Sequence, residues 1–315
     1  MRLLVTGGAG FIGSHICEKA LGLGWQVGVI DSLVSGRKEN LFPGAKFYQI
    51  DLRNLADVSA AVADFKPDAI SHQAAQASVA ISVREPQMDA EVNILGTINI
   101  LRAAEQHKVR RVIFASTGGA IYGDVPDGTR ASISTIPVPV SPYACSKFAA
   151  EKYLECFRQE YGLNYTILRY ANVYGPRQDP HGEAGVVAIF CNRMLANEGI
   201  RINARKTLGD AGCVRDYVYI EDVVKANIAA LKGEVPDRIM NVGTGQETTT
   251  RQIAERLQEV LGSKVAMTPG DRRAGDVERS LLDADRLVEL LGPTVTAHDG
   301  LARTAEWFRK HRNHG

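Results

Sequence analysis

The chain has 315 residues, 45% of them hydrophobic and 23% charged, which is ordinary globular arithmetic and excludes a disordered, collagen-like or disulfide-dense protein. Its 37 basic and 36 acidic residues leave a net charge of +1, so field-driven binding to nucleic acid or to an anionic membrane is not expected. No apolar run approaches the roughly 20 residues of a membrane helix. The opening apolar stretch, Arg2 to Val5, is too short for a signal peptide, and a soluble cytoplasmic protein without a membrane partner is expected. The cysteines (Cys17, Cys145, Cys156, Cys191, Cys213) show no paired spacing and read as reduced, mostly buried small hydrophobes. His311 and His314 stand together in a polar tail with no further ligand, so no metal site is expected.

In chain order, short β-branched runs predict strands over Arg2 to Thr6, Gln26 to Asp31, Lys46 to Ile50, Asp68 to His72, Arg110 to Ser116 and Asn164 to Arg169. Helical periodicity predicts helices over Phe11 to Leu21, Asn54 to Phe65, Met88 to Gln106 and Pro142 to Tyr161. Repeated strand–helix units with near-continuous apolar strands imply an α/β fold, a doubly wound parallel sheet of Rossmann type. After Arg169 the segment NVYGPRQDPHGEAG is too rich in Gly and Pro for a regular element and marks a crossing into a smaller C-terminal lobe. Strands are expected again over Val214 to Ile220 and Arg238 to Val242. Thr249 and Gln252 form a capping box opening a helix that stops at Gly262, and a last helix fits Asp283 to Leu291. The expected division is 1–174 with a returning segment near 214–246 for the sheet domain, and 175–213 with 247–315 for the lobe.

The first strand runs directly into GGAGFIGSH, with Gly7, Gly10 and Gly13 three apart at a strand-to-helix junction. Glycine is wanted there for a positive φ, for close approach of a pyrophosphate and for tight helix–sheet packing. The helix N-terminus then offers N–H groups to the phosphates. Alone, such a triplet is also a tight structural turn. Here a second strand follows and ends in Asp31, whose carboxylate suits ribose hydroxyls and repels a 2′-phosphate, so the expected cofactor is NAD rather than NADP.

Tyr143 has Lys147 four residues on, and helical spacing stacks the two. Tyrosine ordinarily ionises near pH ~10, so a phenolate base at neutral pH needs a neighbouring positive charge. By itself the pair is equally a chance surface pair. The fifth strand adds Ser116 and Thr117 at its carboxyl end, where sites of open parallel sheets lie, although a hydroxyl there is commonly a cap.

GGAGFIGSH, Asp31, FASTGGAIYGD, SPYACSK, RYANVYGPR, VRDYVYIEDV and Arg273-Ala274-Gly275-Asp276 together resemble the extended short-chain dehydrogenase/reductase family, and within it the UDP-hexose 4-epimerases, over nearly the whole chain. The resemblance implies NAD-dependent epimerisation of a UDP-sugar through a transient 4-keto intermediate, without net redox change. It makes Tyr143 the base for the 4-hydroxyl, Lys147 the holder of the nicotinamide ribose and Thr117 the group orienting the hydroxyl. It places Gly7, Gly10, Phe11, Ile12, Gly13, Asp31, Asp51, Leu52, Gln73, Ala74, Ala75, Asn93, Tyr143, Lys147 and Tyr170 along the cofactor. It assigns Asn172, Asn203, Arg215, Arg273, Asp276 and Ser280 to the nucleotide sugar, with Thr117 and Tyr143. The charged residues among them read otherwise as a surface salt-bridge set. Asn203 stands where many relatives carry an aromatic ring for uracil, and Ala77 where some carry a lysine.

A dehydratase or decarboxylase on the same scaffold needs further acid/base groups, and dehydratase relatives place Asp-Glu after the hydroxyl residue. Here Gly118-Gly119-Ala120 follow Thr117, which favours an epimerase. UDP-N-acetylglucosamine and UDP-glucuronate remain alternative substrates, and a cofactor-sensing protein without catalysis is the reading from another class. In the resembling epimerases a residue shortly after the Arg-x-Gly-Asp segment walls the sugar pocket; that position falls on Ser280, where a serine leaves room for an N-acetyl group. Arg279, one residue away, is the alternative, and an exposed turn residue is the other reading of Ser280. Val92, Leu95, Ile98 and Leu101 on one helix, and Phe148, Tyr153, Leu154 and Phe157 on another, spread apolar surface over more than one face. With the resemblance, this implies a homodimer through a four-helix contact; full internal burial is the other reading.

Overall fold

In the computed structural model, which describes residues 1–180, 185–273 and 277–311, the elements run as follows. They are β1 (Arg2–Thr6), α1 (Phe11–Gly22), β2 (Gln26–Asp31), β3 (Lys46–Gln49), α2 (Leu55–Phe65), β4 (Ala69–His72), α3 (Val79–Arg84), α4 (Pro86–Ala90), a π-helical turn (Glu91–Leu95), α5 (Gly96–Gln106) and β5 (Arg111–Thr117). Next come α6 (Gly118–Ile121), α7 (Pro142–Tyr161), β6 (Asn164–Tyr170), β7 (Asn172–Tyr174), α8 (Val186–Leu195), β8 (Ile200–Asn203), β9 (Val214–Arg215), β10 (Tyr217–Tyr219) and α9 (Ile220–Lys232). The chain ends with β11 (Ile239–Val242), β12 (Thr248–Thr249), α10 (Thr250–Leu261), β13 (Met267–Gly270), β14 (Arg279–Ser280), α11 (Asp285–Leu291) and α12 (Ala297–His311).

Two units emerge. The first takes residues 1–117, 141–169 and 224–240; the second takes 118–140, 170–223 and 241–315. The first unit therefore receives 224–240 where the sequence reading had a return near 214–246, and 118–140 joins the second. A seven-stranded sheet has the order β11-β6-β5-β4-β1-β2-β3. β1 pairs in parallel with β2 and β4, and β2–β3 and β4–β5 are also parallel. Strand order reverses at β1, so the loop after β1 opens at the switch point where open α/β sheets bind ligands. Leu3, Leu4, Val5, Ile70, Val112 and Ile113 are fully buried, as strands covered on both faces require.

Local signals hold where a side chain or a backbone angle enforces them. Asn54 accepts the N–H groups of Ala56 and Asp57 to cap α2, and Ser141 accepts that of Ala144 to cap α7. The Thr249–Gln252 capping box is present, and α10 ends at Gly262 with φ +64°.

Several expectations need correction. The helix read over Met88 to Gln106 contains the π-helical turn, and the buried Asn93 lies within it. The strand read over Val214 to Ile220 breaks at Asp216: β9 pairs with β12 and β14, whereas β10 pairs with β7. Asn172–Tyr174, inside the segment read as irregular, forms β7 because β10 supplies it with a parallel partner. Only Cys17 and Cys191 are buried; Cys145 and Cys156 are exposed on α7. In the second unit the sheets are small, β7 with β10, β12-β9-β14, and β8 with β13.

Candidate active site

The loop after β1 has the geometry its glycines predict. Gly7 has φ +68°, and a Cβ there would lie 2.8 Å from the Ala74 Cα; a Cβ on Gly13 would strike the Gly7 carbonyl oxygen. Gly10 precedes α1 and no side chain caps that helix, which leaves its first-turn N–H groups for an anion. Phe11 is buried and Ile12 half-buried on the same turn. At the end of β2 the Asp31 carboxylate accepts the Ala9 N–H at 3.0 Å and the Leu33 N–H at 2.9 Å. Burial raises its pKa above the usual carboxylate range, and the two N–H bonds partly oppose that. A glycine loop closed on a strand-end carboxylate fits a dinucleotide carrying a free ribose diol.

Under this loop lies a hydrogen-bond chain that sequence reasoning missed. His72 Nδ1 is 2.6 Å from Thr6 Oγ1, and Nε2 is 3.0 Å from Thr97 Oγ1. Thr97 donates its proton to the Asn93 carbonyl, so it accepts from His72 Nε2–H. Nδ1 then accepts the Thr6 hydroxyl proton, and Thr6 Oγ1 accepts the Ala74 N–H at 3.2 Å. Every role is filled with a neutral imidazole. Burial, then the nearby Lys147 charge, pushes the His72 pKa down to about 3. The chain ties β1, β4 and the π-helical turn together beneath Gly7.

Other expected cofactor residues lie in the same unit. Gln73 turns its amide toward Ser71 and Asn227. Ala74 and Ala75 continue from β4, half-buried. Asn93 is buried, exchanging hydrogen bonds with Gln76 and donating to Asp89 and Ser146. The Asp51 carboxylate is held by Arg53, which lowers its pKa. Leu52 belongs to the hydrophobic core and gives its carbonyl to Asn99.

Thr117 is the last residue of β5 and is buried. Tyr143 and Lys147 stand one turn apart in α7; Tyr143 is half-buried, and Lys147, only 3% exposed, sets its ammonium 4.3 Å from the Phe114 ring centroid. An ammonium over an aromatic face is attracted by the ring quadrupole. Further along α7, Glu151 is fully buried against Arg169 and Ser116, a cluster that no motif had singled out.

Apart from Thr117 and Tyr143, the described residues expected for the nucleotide sugar belong to the second unit. Asn172 donates its amide to the Asp216 carbonyl, and Gly119 leaves room beside it. Arg215 is half-buried on β9, and Ser280, buried on β14, is its register partner. Asp216 accepts the Thr244 N–H and hydroxyl and the Gly245 N–H, which explains the strand break beside Arg215; burial nonetheless raises its pKa. Arg279, 1% exposed, donates to the carbonyls of Val125, Pro126 and Thr129 and to Glu247, bolting that loop to β14. Asn203 closes β8, half-buried, and Asp210 stitches the loop beyond it by accepting the N–H groups of Arg205, Lys206, Thr207 and Gly212. Tyr170 is buried at the end of β6, and Arg273 is exposed. Asp276 lies outside the described residues, as does His314. Among the described residues no cluster of His, Cys, Asp and Glu could hold a metal.

Sheet order, glycine loop, strand-end carboxylate and tyrosine–lysine helix define the first unit as a dinucleotide-binding fold of the short-chain dehydrogenase/reductase type. The NAD dependent epimerase/dehydratase family matches residues 3–243, and the chain belongs to it. It is 43% identical to the UDP-glucose 4-epimerase of Mycolicibacterium smegmatis, over 98% of this chain and 99% of that one. Among solved structures it is similar to the UDP-glucose 4-epimerase of Thermus thermophilus in complex with NAD (51% identity, TM-score 0.95, 98% and 99% of the two chains). It is also similar to the UDP-glucose 4-epimerase of Thermotoga maritima with UDP-glucose (46% identity, TM-score 0.92, 99% and 100% of the two chains).

Proposed function

We propose that this chain is an NAD-dependent 4-epimerase that interconverts UDP-glucose and UDP-galactose, working in the cytoplasm and serving galactose metabolism. The observation that carries the reading is α7, which sets Tyr143 and the buried Lys147 one turn apart in the unit that also holds the glycine loop and Asp31. Likeness to UDP-glucose 4-epimerases over nearly the full chain supports the substrate class.

Bound NAD supplies hydride acceptance and return at carbon 4, with no net redox change. Tyr143 takes the proton of the 4-hydroxyl and returns it to the same C4 oxygen once the 4-keto sugar has presented its other face to the cofactor. Lys147 stabilises the phenolate by its charge and holds the nicotinamide ribose. Thr117 orients the reacting oxygen. Asp31 takes the adenosine ribose hydroxyls, and the remaining cofactor contacts are those named above. Arg215 and Arg273 suit a diphosphate, Asp276 suits ribose hydroxyls, and Asn172 and Asn203 complete the nucleotide contacts. Ser280 leaves room at the sugar, which supports a second substrate, UDP-N-acetylglucosamine. Gly118, which opens α6 after Thr117, carries no proton-transfer group, and that weighs against a dehydratase.

Of the apolar residues expected to pair copies, Leu101 and Leu154 are fully buried within the chain, whereas Leu95 (52% exposed) and Tyr153 (40% exposed) are open to a partner, and the homodimer rests on these and on the resemblance. The test of function is direct: incubate the purified protein with UDP-galactose and follow formation of UDP-glucose, with UDP-glucuronate and UDP-N-acetyl sugars in parallel. Interconversion is expected. No turnover of either UDP-hexose, or formation of a dehydrated product, would refute the reading.

A further inference from the structure

Glu151 sits two turns beyond Tyr143 and one beyond Lys147, and it is completely buried. Its carboxylate accepts Arg169 Nε at 2.9 Å on Oε1 and Arg169 Nη2 at 2.6 Å on Oε2, and Oε1 also accepts the Ser116 hydroxyl at 2.6 Å. Arg169 is 3% exposed and is the penultimate residue of β6; Ser116 is the penultimate residue of β5, directly before Thr117. One carboxylate thus binds a helix to two neighbouring strands, beside the residues that carry the chemistry.

A buried ion pair is a poor way to gain stability, because desolvating both charges offsets much of their attraction. Apolar side chains of similar volume often do as well. What a bidentate carboxylate–guanidinium pair adds is direction: two parallel hydrogen bonds are satisfied at only one rotation and one axial position of α7. Ala150 and Leu154 on either side of it in α7 belong to the hydrophobic core, whose attraction is non-directional, whereas the ion pair is directional.

We propose that Glu151, Arg169 and Ser116 form a positioning device for proton transfer, locking α7 on β5 and β6 so that Tyr143 and Lys147 hold their place relative to Thr117. The proposal rests on the assignment of Tyr143 as the base. Each of the three acts through α7 or Thr117.

The test uses the holoenzyme of the double variant Glu151→Leu/Arg169→Met, which replaces the pair by apolar groups. Expected are a near wild-type KM for UDP-glucose and, at saturating NAD, kcat per NAD-binding site lowered at least about 10-fold, the scale of a small misplacement in a reacting pair. The acid limb of the kcat–pH profile should move to higher pH, because a displaced Lys147 stabilises the phenolate less. Wild-type kcat, or a loss that only tracks lost folded protein with an unmoved pH profile, overturns the proposal. If the double variant does not fold, Ser116→Ala decides: a lower kcat with the same upward shift supports the device, and unchanged kinetics overturn it. Tyr143→Phe run alongside separates the two levels. Full turnover there refutes the base assignment itself, whereas an inactive Tyr143→Phe beside a wild-type double variant refutes only the positioning role.

Discussion

The Asp31 carboxylate accepts the Ala9 backbone N–H at 3.0 Å, so the residue expected to choose the cofactor also closes the loop expected to hold its phosphates. Selectivity and loop geometry are therefore coupled. Asp31→Ala should weaken NAD binding at least about tenfold, through loss of charge-assisted hydrogen bonds worth ~1.5–3 kcal/mol each. It should also erase discrimination against NADP. Titration of apo-protein with both dinucleotides checks this; an Asp31→Ala protein that still prefers NAD strongly would assign the choice elsewhere.

Removing one hydroxyl tests the chemistry with little structural disturbance. Tyr143→Phe should lower turnover by at least about 100-fold, the lower range of general acid–base catalysis. Its melting temperature and NAD titration should stay near wild type. A variant with near-normal turnover would end the assignment.

The buried His72 gives an acid dependence with a definite sign. Its folded pKa, near 3, lies below its ordinary value of about 6.5. The unfolded chain thus binds a proton that the folded one refuses, and the stability present above the ordinary value is lost as pH falls toward 3. The slope is at most ~1.4 kcal/mol per pH unit. Denaturant melts at neutral pH and near pH ~5 should show a smaller acid loss for His72→Gln than for wild type. That variant should also be less stable at neutral pH, since the Thr6 and Thr97 hydroxyls lose a matched partner. Equal slopes would show that other groups carry the acid sensitivity.

Ser280 is 2% exposed and stands beside Arg215 in the β14–β9 register, so it is not an exposed turn residue. Wild-type protein should epimerise UDP-N-acetylglucosamine as well as UDP-glucose. Ser280→Tyr should lose the first activity and keep most of the second, because overfilling excludes only the larger sugar. The comparison is made on variant protein whose melting temperature has been measured. Equal loss of both activities would detach Ser280 from substrate choice.

Leu95→Glu should convert a dimer into a monomer in light scattering, since a charge in an apolar contact loses its water without gaining a partner. A wild-type protein of monomer mass at working concentration would remove the dimer altogether.

The sequence by itself determined the alternation of strand and helix, the glycine loop, Asp31 and the Tyr143–Lys147 spacing, because each depends on residues near one another in the chain. Gly7 needs its positive φ, Thr249 and Gln252 cap each other, and a four-residue helical step stacks two side chains, all without reference to distant partners. The segments that were misread depend on partners far away. Asn172–Tyr174 becomes a strand only because β10 pairs with it, and Val214 to Ile220 breaks at Asp216 because Thr244 and Gly245 donate to that carboxylate. The His72 chain and the Glu151–Arg169 pair were invisible for the same reason. Histidine, glutamate and arginine have no spacing signature when their partners are 66 or 18 residues distant. Only folding removes water from these groups, and without water each buried polar atom must find a partner wherever the tertiary structure supplies one.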